Sequence, residues 1–530
     1  MNEHLKKNLL LQGSILAVAG LISKVIGFIY RIPMANIMGN AGNGLYSVAF
    51  GLYNIALTLS SYSMPLAISK LMSARLAKGD NRNAHRLFHD ALIFAICMGL
   101  IASLGLYFGA ESFAEIYQKE GLEMPLRVLA PTVFVVAMLG CCRGFFQGHR
   151  NMLPTALSQV IEQIVNAIVS VASASYFVSI AAGRNAAAYG AMGGTLGTLF
   201  GAATALIFFF ILFVIRQVII KKKGGPDTAD MPAEDHKLII KAIVLTVIPV
   251  IISQSIYTLG YTLDDLIYGN LMVLKGTDQT AATIQQGVFN TQYNQMINLP
   301  TAIATAMASA TLPSIVASRT RGEDENVRRK TDAVIKVNML IAIPSAVGLA
   351  VLAEPVMGVL FPRLGDMMDT AVMLLRTGSS AVVFYALSTL STSILQGCDK
   401  MRLPVVHSGI SLAMHVFIVA GCLLFTDLGV YALIIGNVSF PLMVCILNCR
   451  SILKILNHRI KWMESFIKPL GAALVMGVVT FAAYTLLKGI AGMLIAMIIS
   501  MILAVAVYVV MLLAFKAVTV SELKRMVKRR

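Results

Sequence analysis

The sequence predicts an all-α integral membrane protein with about fourteen transmembrane helices, arranged as two parallel-repeat six-helix lobes plus two C-terminal helices. Three observations carry this. Apolar runs of 18 residues or more recur along the whole chain. The composition is 57% hydrophobic and only 13% charged, about half the charge of a soluble domain, so most of the apolar surface must face lipid. Lysine and arginine gather in every second connection, the signature of cytoplasmic loops.

In chain order, the first six helices are read at 9–30, 44–67, 87–109, 125–147, 155–180 and 189–215. A basic, then Pro/Gly/Asp-rich linker follows at 217–237. The remaining helices are read at 239–262, 283–312, 333–353, 370–396, 404–426, 429–449, 466–487 and 490–515. Each is long enough to cross a hydrocarbon core of about 30 Å. This gives a first lobe over 1–216, a cytoplasmic linker over 217–237, a second lobe over 238–452, and two further helices with a basic tail over 453–530.

Charge tests the count independently. With the N-terminus inside, the inner segments hold 34 of the 43 Lys and Arg residues, the outer segments six, and the spans three. A missed or invented span would scramble that alternation, so both termini are expected on the cytoplasmic side of a bacterial plasma membrane. The run that follows Lys6-Lys7 continues to about Tyr30 without an A-x-A-like cleavage site, and is expected to stay as the first helix.

The chain also matches itself. At an offset of 243, Gly44-Leu45-Tyr46 falls on Gly287-Val288-Phe289, and Thr58, Met64 and Gly79-Asp80 fall on Thr301, Met307 and Gly322-Glu323. At 249, Phe146-Gln147-Gly148 before Pro154 falls on Leu395-Gln396-Gly397 before Pro404. Both copies begin on the same membrane side, so they are parallel repeats related by an axis along the membrane normal, as in transporters with a site between two lobes.

The net charge of +17 would suggest nucleic acid in a soluble protein. Here it is the cytoplasmic-loop excess, and no nucleic-acid partner is expected. The seven cysteines lie in or beside apolar runs without metal-ligand spacing, so no metal, cofactor or disulfide framework is expected.

Ser23-Lys24-Val25-Ile26-Gly27-Phe28, Tyr30-Arg31-Ile32-Pro33, Gly44-Leu45-Tyr46 and Pro65-Leu66-Ala67-Ile68-Ser69-Lys70 resemble the start of the SpoVB/YtgP-type polysaccharide and lipid II flippases. The Gln-Gly elements and Gln159-Val160-Ile161-Glu162-Gln163 fit the wider multidrug/oligosaccharidyl-lipid/polysaccharide exporter superfamily, which includes the MurJ branch. The resemblance spans most of the chain. It implies two lobes around a central cavity and alternating access that carries an undecaprenyl-diphosphate-linked sugar outward. The MurJ branch has cavity arginines at the positions of Tyr30, Thr58 and Gln295, so phosphate binding by those groups does not carry over.

Polar groups inside spans are site candidates because they are costly in lipid. Lys24 lies about 22 Å along the first helix and Arg31 at its outer end, where either could hold a diphosphate by charge-assisted hydrogen bonds. The alternatives are a snorkelling lysine and an arginine at head groups. Glu162 is near mid-depth, as a proton or cation site, a partner for a basic cavity residue, or a structural ion pair. Asp264 and Asp265 stand at the outer end of the seventh helix, as a cation or sugar guide or as solvated loop residues. On the eighth, Gln286, Asn290, Asn294 and Asn298 recur every fourth residue beside Gln295, a face unsuited to lipid. Asn54, Thr58 and Tyr62 repeat that spacing on the second helix. These amides and hydroxyls suit a sugar and equally suit helix–helix contacts. His149 reads as a solvated loop residue.

The leading expectation is a non-enzymatic flippase for a lipid-linked oligosaccharide, with lipid II as cargo and membrane lipids as surroundings. Which ion, if any, is coupled to transport is not legible. A multidrug/cation antiporter of the same superfamily would rely on Glu162 as its mid-span carboxylate. A membrane glycan polymerase would need positioned carboxylates or His in a large outer loop, and the outer loops here are short and lack His.

Overall fold

A computed structural model describes residues 3–181, 185–222, 232–457 and 461–518. Every regular element among them is helical. Compactness divides the chain into two units, Met1–Gly287 and Val288–Arg530.

The first unit contains α1 (Glu3–Ser60), α2 (Met64–Leu76), α3 (Asn81–Phe108), α4 (Ala110–Ile116), α5 (Glu123–Gly148), α6 (Leu153–Ile180), α7 (Ala186–Lys222), α8 (His236–Leu274) and α9 (Gln279–Gly287). The repeat-based division set a boundary in the 217–237 linker, whereas compactness sets one at Gly287 because α8 and α9 pack on α1. The second unit opens on a π-helical turn, Val288–Tyr293. It continues through α10 (Asn294–Thr320), α11 (Asp324–Val351), α12 (Ala353–Leu360), α13 (Met368–Gly378), α14 (Ala381–Gly397), α15 (Arg402–Phe425), α16 (Tyr431–Leu456) and α17 (Lys468–Ala514).

α1 is too long to be one crossing. Its 58 residues would extend about 87 Å if straight. Instead it folds back at Gly39, whose φ of 69° only glycine adopts without strain. Two contacts show the reversal. Asn43 Nδ2 donates to the Ala35 carbonyl at 2.9 Å. A Cβ on Gly194 would lie 3.4 Å from both Met34 Sδ and the Tyr46 ring, twelve residues apart on α1. α17 does the same at Gly492: Lys468 Nζ reaches the Lys516 carbonyl at 3.2 Å across 48 residues of sequence.

Among the described residues, nine helical stretches are long and apolar enough to cross a membrane, and a pair bent by 46°, Pro362–Gly378 with Ala381–Gly397, makes a tenth. Two of the nine, Val18–Leu76 and Met463–Ala514, contain the reversals and hold two crossings each. With α8 and the α9–α10 stretch, this arrangement is consistent with the fourteen helices expected from hydropathy and charge.

The repeat is visible in the backbone. Gly79 and Gly322, 243 apart, have φ of 76° and 72°. The bonds Asp80 N to Arg75 O and Glu323 N to Ser318 O match at the same offset. Asn83 Nδ2 donates to Asp80 Oδ2 as Asn326 Nδ2 donates to Glu323 Oε2. At the second offset, Arg150 and Asp399 carry φ of 58° and 60°, and Arg150 N to Gln147 O corresponds to Asp399 N to Gln396 O.

Several helix ends differ from the hydropathy reading. The first helix runs past Tyr30 to Gly39, so Arg31 is inside it rather than closing it. Asp264 and Asp265 are inside α8, both buried, and not in a solvated loop. The helix read at 370–396 is two, α13 and α14. Polar residues at a helix end lower hydropathy without ending the helix, because backbone hydrogen bonding continues wherever neighbouring helices supply cover.

Candidate functional site

In the first unit, α6 and α7 set the geometry. Gly193, Gly197 and Gly201 recur every fourth residue on α7 and let it approach the α6 backbone. A Cβ at Gly197 would lie 2.1 Å from Ser170 Oγ and 2.5 Å from the Asn166 carbonyl, and one at Gly201 2.6 Å from the Glu162 carbonyl. Ser170 Oγ donates to the Gly194 carbonyl at 2.8 Å, and Ser173 Oγ to that of Gly193 at 2.6 Å. These glycines do not appear among the expected site residues; the G-x-x-x-G spacing is the sequence signal for them.

Held there, α6 presents polar side chains to α1 and α5. Asn166 Nδ2 donates to the Tyr30 hydroxyl at 3.3 Å, and Gln163 lies against α1 at Gly27. Arg31 sits beside the Tyr30 and Tyr46 phenols. Tyr30, Tyr46 and Tyr53 are buried, while Arg31 beside them keeps an exposed side chain. Lys24 is also exposed, two turns earlier on the same face of α1 and about 10 Å away. Ser23 Oγ and Gln159 Oε1 are buried without a hydrogen-bond partner among the described residues, which leaves them to water or a polar ligand.

Glu162 is an ion-pair residue: Arg143 on α5 meets its carboxylate at 2.6 Å while Arg143 Nε donates to Ser158 Oγ at 3.2 Å. Arg143 lies inside α5, five residues before its end at Gly148 and within the helix read at 125–147. In this structure Glu162 is paired with a basic residue. His149, expected to be solvated, is half-buried, with Nε2 3.0 Å from Arg216 and Nδ1 2.9 Å from the Phe145 carbonyl.

The uncharged candidates divide. Asn54 is exposed. Thr58 is buried, donates to the Asn54 carbonyl and lies 3.4 Å from Thr258 Oγ1, as a helix–helix contact would require. In the second unit Asn437 Nδ2 donates to Asn294 Oδ1 at 3.2 Å, and Asn294 Nδ2 to Asn290 Oδ1 at 3.4 Å, an amide ladder between α16 and the start of α10. Gln295 beside it is buried. The expected four-residue face from Gln286 to Asn298 is interrupted by the π turn Val288–Tyr293, which adds a residue and rotates the side chains beyond it.

A second polar cluster contains a residue that hydropathy counted as an ordinary loop charge. Lys119, between α4 and α5, is 1% exposed and donates to Thr283 Oγ1 at 3.1 Å. Asp265 accepts from Gln286 Nε2 at 2.5 Å and is the carboxylate acting on Lys119. Burial lowers the Lys119 ammonium to about 8, with Asp265 opposing the shift. The unfolded chain therefore holds this proton up to higher pH than the folded one, and stability should rise from pH 8 towards 10.5. Melting temperatures across that window should show this slope in the wild type and lose it in Lys119→Met; an unchanged slope would place the titration elsewhere.

The comparisons agree with this architecture. A family model described as "Polysaccharide biosynthesis protein" matches residues 9–319, more than half the chain. The chain is similar to Stage V sporulation protein B of Bacillus subtilis (strain 168), 24% identical over 528 residues and covering 98% of each chain. It is also similar to Lipid II flippase MurJ of the same organism, 25% identical over 412 residues, covering 75% of this chain and 74% of that one. Among solved structures, lipid II flippase MurJ in an inward closed conformation superposes with a TM-score of 0.69 at 15% identity, covering 94% of this chain and 98% of that one. An inward-facing multidrug resistance MATE family transporter of the MOP superfamily follows at 0.62 and 16%, covering 81% and 99%. These likenesses establish the fold. With its many apolar crossings, the chain is a multi-pass membrane protein that belongs to the polysaccharide biosynthesis protein family.

Proposed function

We propose that this protein is a flippase that carries an undecaprenyl-diphosphate-linked glycan, with lipid II as the leading cargo, to the outer leaflet of a bacterial cytoplasmic membrane by alternating access. The observation that carries the reading is Arg31, an exposed guanidinium set beside the buried phenols of Tyr30 and Tyr46. A guanidinium in that setting offers several N–H donors to a diphosphate, with Lys24 on the same helix face as a second cation. Exposed Asn54, also in the first unit, offers a neutral hydrogen-bonding group of the kind a sugar uses. The relatives support the cargo class, since one is named as a lipid II flippase and another for sporulation. The repeat halves 1–216 and 238–452 would be the moving lobes, joined by the 217–237 linker and followed by the helices after 453. Both termini would be cytoplasmic.

The test is complementation of a strain depleted of its essential lipid II flippase. Wild type should restore growth. Arg31→Ala should abolish rescue at equal expression, and Lys24→Ala should weaken it, with Lys24→Arg restoring it. A correctly inserted, well-expressed wild type that fails to rescue would move the cargo to another polyprenyl-linked glycan. Full rescue by Arg31→Ala would remove Arg31 from the binding site.

A further inference from the structure

At the end of the first unit that the Lys/Arg distribution assigns to the cytoplasm, three basic side chains, from α3, α7 and the turn after α5, gather round one aromatic ring. Arg216, late in α7, lies over the Phe145 ring, 4.5 Å from its centroid, and reaches His149 Nε2 at 3.0 Å. His149 packs on the same ring at 4.4 Å, and His85 of α3 approaches it at 6.2 Å.

The hydrogen bonds assign the protonation of His149. Its Nδ1–H donates to the Phe145 carbonyl, so Nε2 must accept from the guanidinium, and the ring is neutral. Burial holds the imidazole below its ordinary range, and the charges of Arg216 and His85 add to that while the Phe145 carbonyl opposes it. Arg216 thus spends one donor on His149, and among the described residues no carboxylate pairs with it.

The position is as informative as the chemistry. The turns of α7 leading to Arg216 expose Phe210, Ile211, Val214 and Ile215, and the start of α6 exposes Leu153 and Leu157. Large apolar side chains turned outward on spanning helices face lipid. The basic cluster therefore sits where lipid-facing surface gives way to the loop end, at the depth of phosphate head groups.

We propose that Arg216, His149 and His85 form a phosphate-binding site for an anionic phospholipid, separate from the Arg31 pocket. The phosphodiester accepts from the remaining guanidinium N–H groups and from His85. Its negative charge favours protonation of His149, whose Nε2 then gives up the bond from Arg216 and donates to the phosphate, which bridges the two cations. Lipid occupancy would take up a proton and clamp the turn after α5 to α7.

The experiment uses the full-length chain in micelles, titrated with phosphatidylglycerol and read by native mass spectrometry. Wild type should bind phosphatidylglycerol in preference to phosphatidylcholine, with affinity increasing as pH falls from 7.5 to 6. Arg216→Gln with His85→Gln should weaken binding about tenfold, as loss of two phosphate contacts predicts. Arg216→Lys should retain most of it. His149→Asn should bind with a shallower pH dependence, the remainder being removed by adding His85→Gln, a change that a purely structural role would not produce. Equal binding by wild type and a double variant that keeps its elution volume and melting temperature would overturn the site. So would equal uptake of phosphatidylcholine. Complete displacement of the lipid by millimolar inorganic phosphate would overturn the lipid assignment in favour of a free phosphate ligand.

Discussion

Gly197→Val should destabilise the protein by about 3 kcal/mol, the upper end of overpacking penalties. The reason is that the new Cβ would meet atoms that cannot rotate away. It would lie 2.5 Å from the Asn166 carbonyl and 2.6 Å from the Ser170 amide nitrogen. α7 must then retreat from α6, which also breaks the bonds from Ser170 to Gly194 and from Ser173 to Gly193. Because Asn166 carries the bond to Tyr30, the same retreat disturbs the surroundings of Arg31, and transport should fail as well. Gly105→Ala is the control: no atom lies within 4 Å of its Cβ position, so it should be neutral or slightly stabilising. Thermal unfolding of both variants in the same detergent reads the difference. A wild-type melting temperature for Gly197→Val would mean that the α6–α7 contact is looser than its geometry requires.

Arg143→Ala should be the most damaging single change at the ion pair. It strands the Glu162 carboxylate, whose side chain is only 20% exposed, and removes the Ser158 contact. Unpaired buried charge costs more than a missing bond. Allowing for the remaining exposure, the expected loss is about 2 kcal/mol. Glu162→Gln should cost less, since Arg143 can snorkel towards head groups and the amide still accepts a hydrogen bond. Combining Arg143→Ala with Glu162→Gln should recover part of the loss, giving a coupling term outside simple additivity. Strictly additive costs would show that the two groups do not stabilise each other.

Much of the fold is legible in the chain because membrane insertion depends on sums along the sequence. Apolar runs give the crossings, and loop Lys and Arg give their alternation. The repeat is legible for a related reason: Gly79-Asp80 and Gly322-Glu323 are local turn-and-cap devices, and the same local sequence makes the same backbone bonds in both copies. Arg31 and Lys24 are legible as costly charges in apolar surroundings.

What only the tertiary structure decided is how those charges are partnered. Arg143 and Glu162 are 19 residues apart on successive helices, and Glu162 reads as a mid-span acid without a named partner; they pair because α6 returns beside α5. Lys119 reads as an ordinary outer-loop charge until Thr283, Gln286 and Asp265 from α8 and α9 close around it. The reversal at Gly39 falls within the 31–43 connection between the first two spans read from hydropathy, but that the chain stays helical on both sides of it is decided only by the tertiary structure. The physical reason is one of range. Transfer to lipid is a property each residue carries with it, whereas a salt bridge or a buried ammonium depends on ångström-scale helix separations. Here those separations are set by the glycines of α7 and the places where helices end.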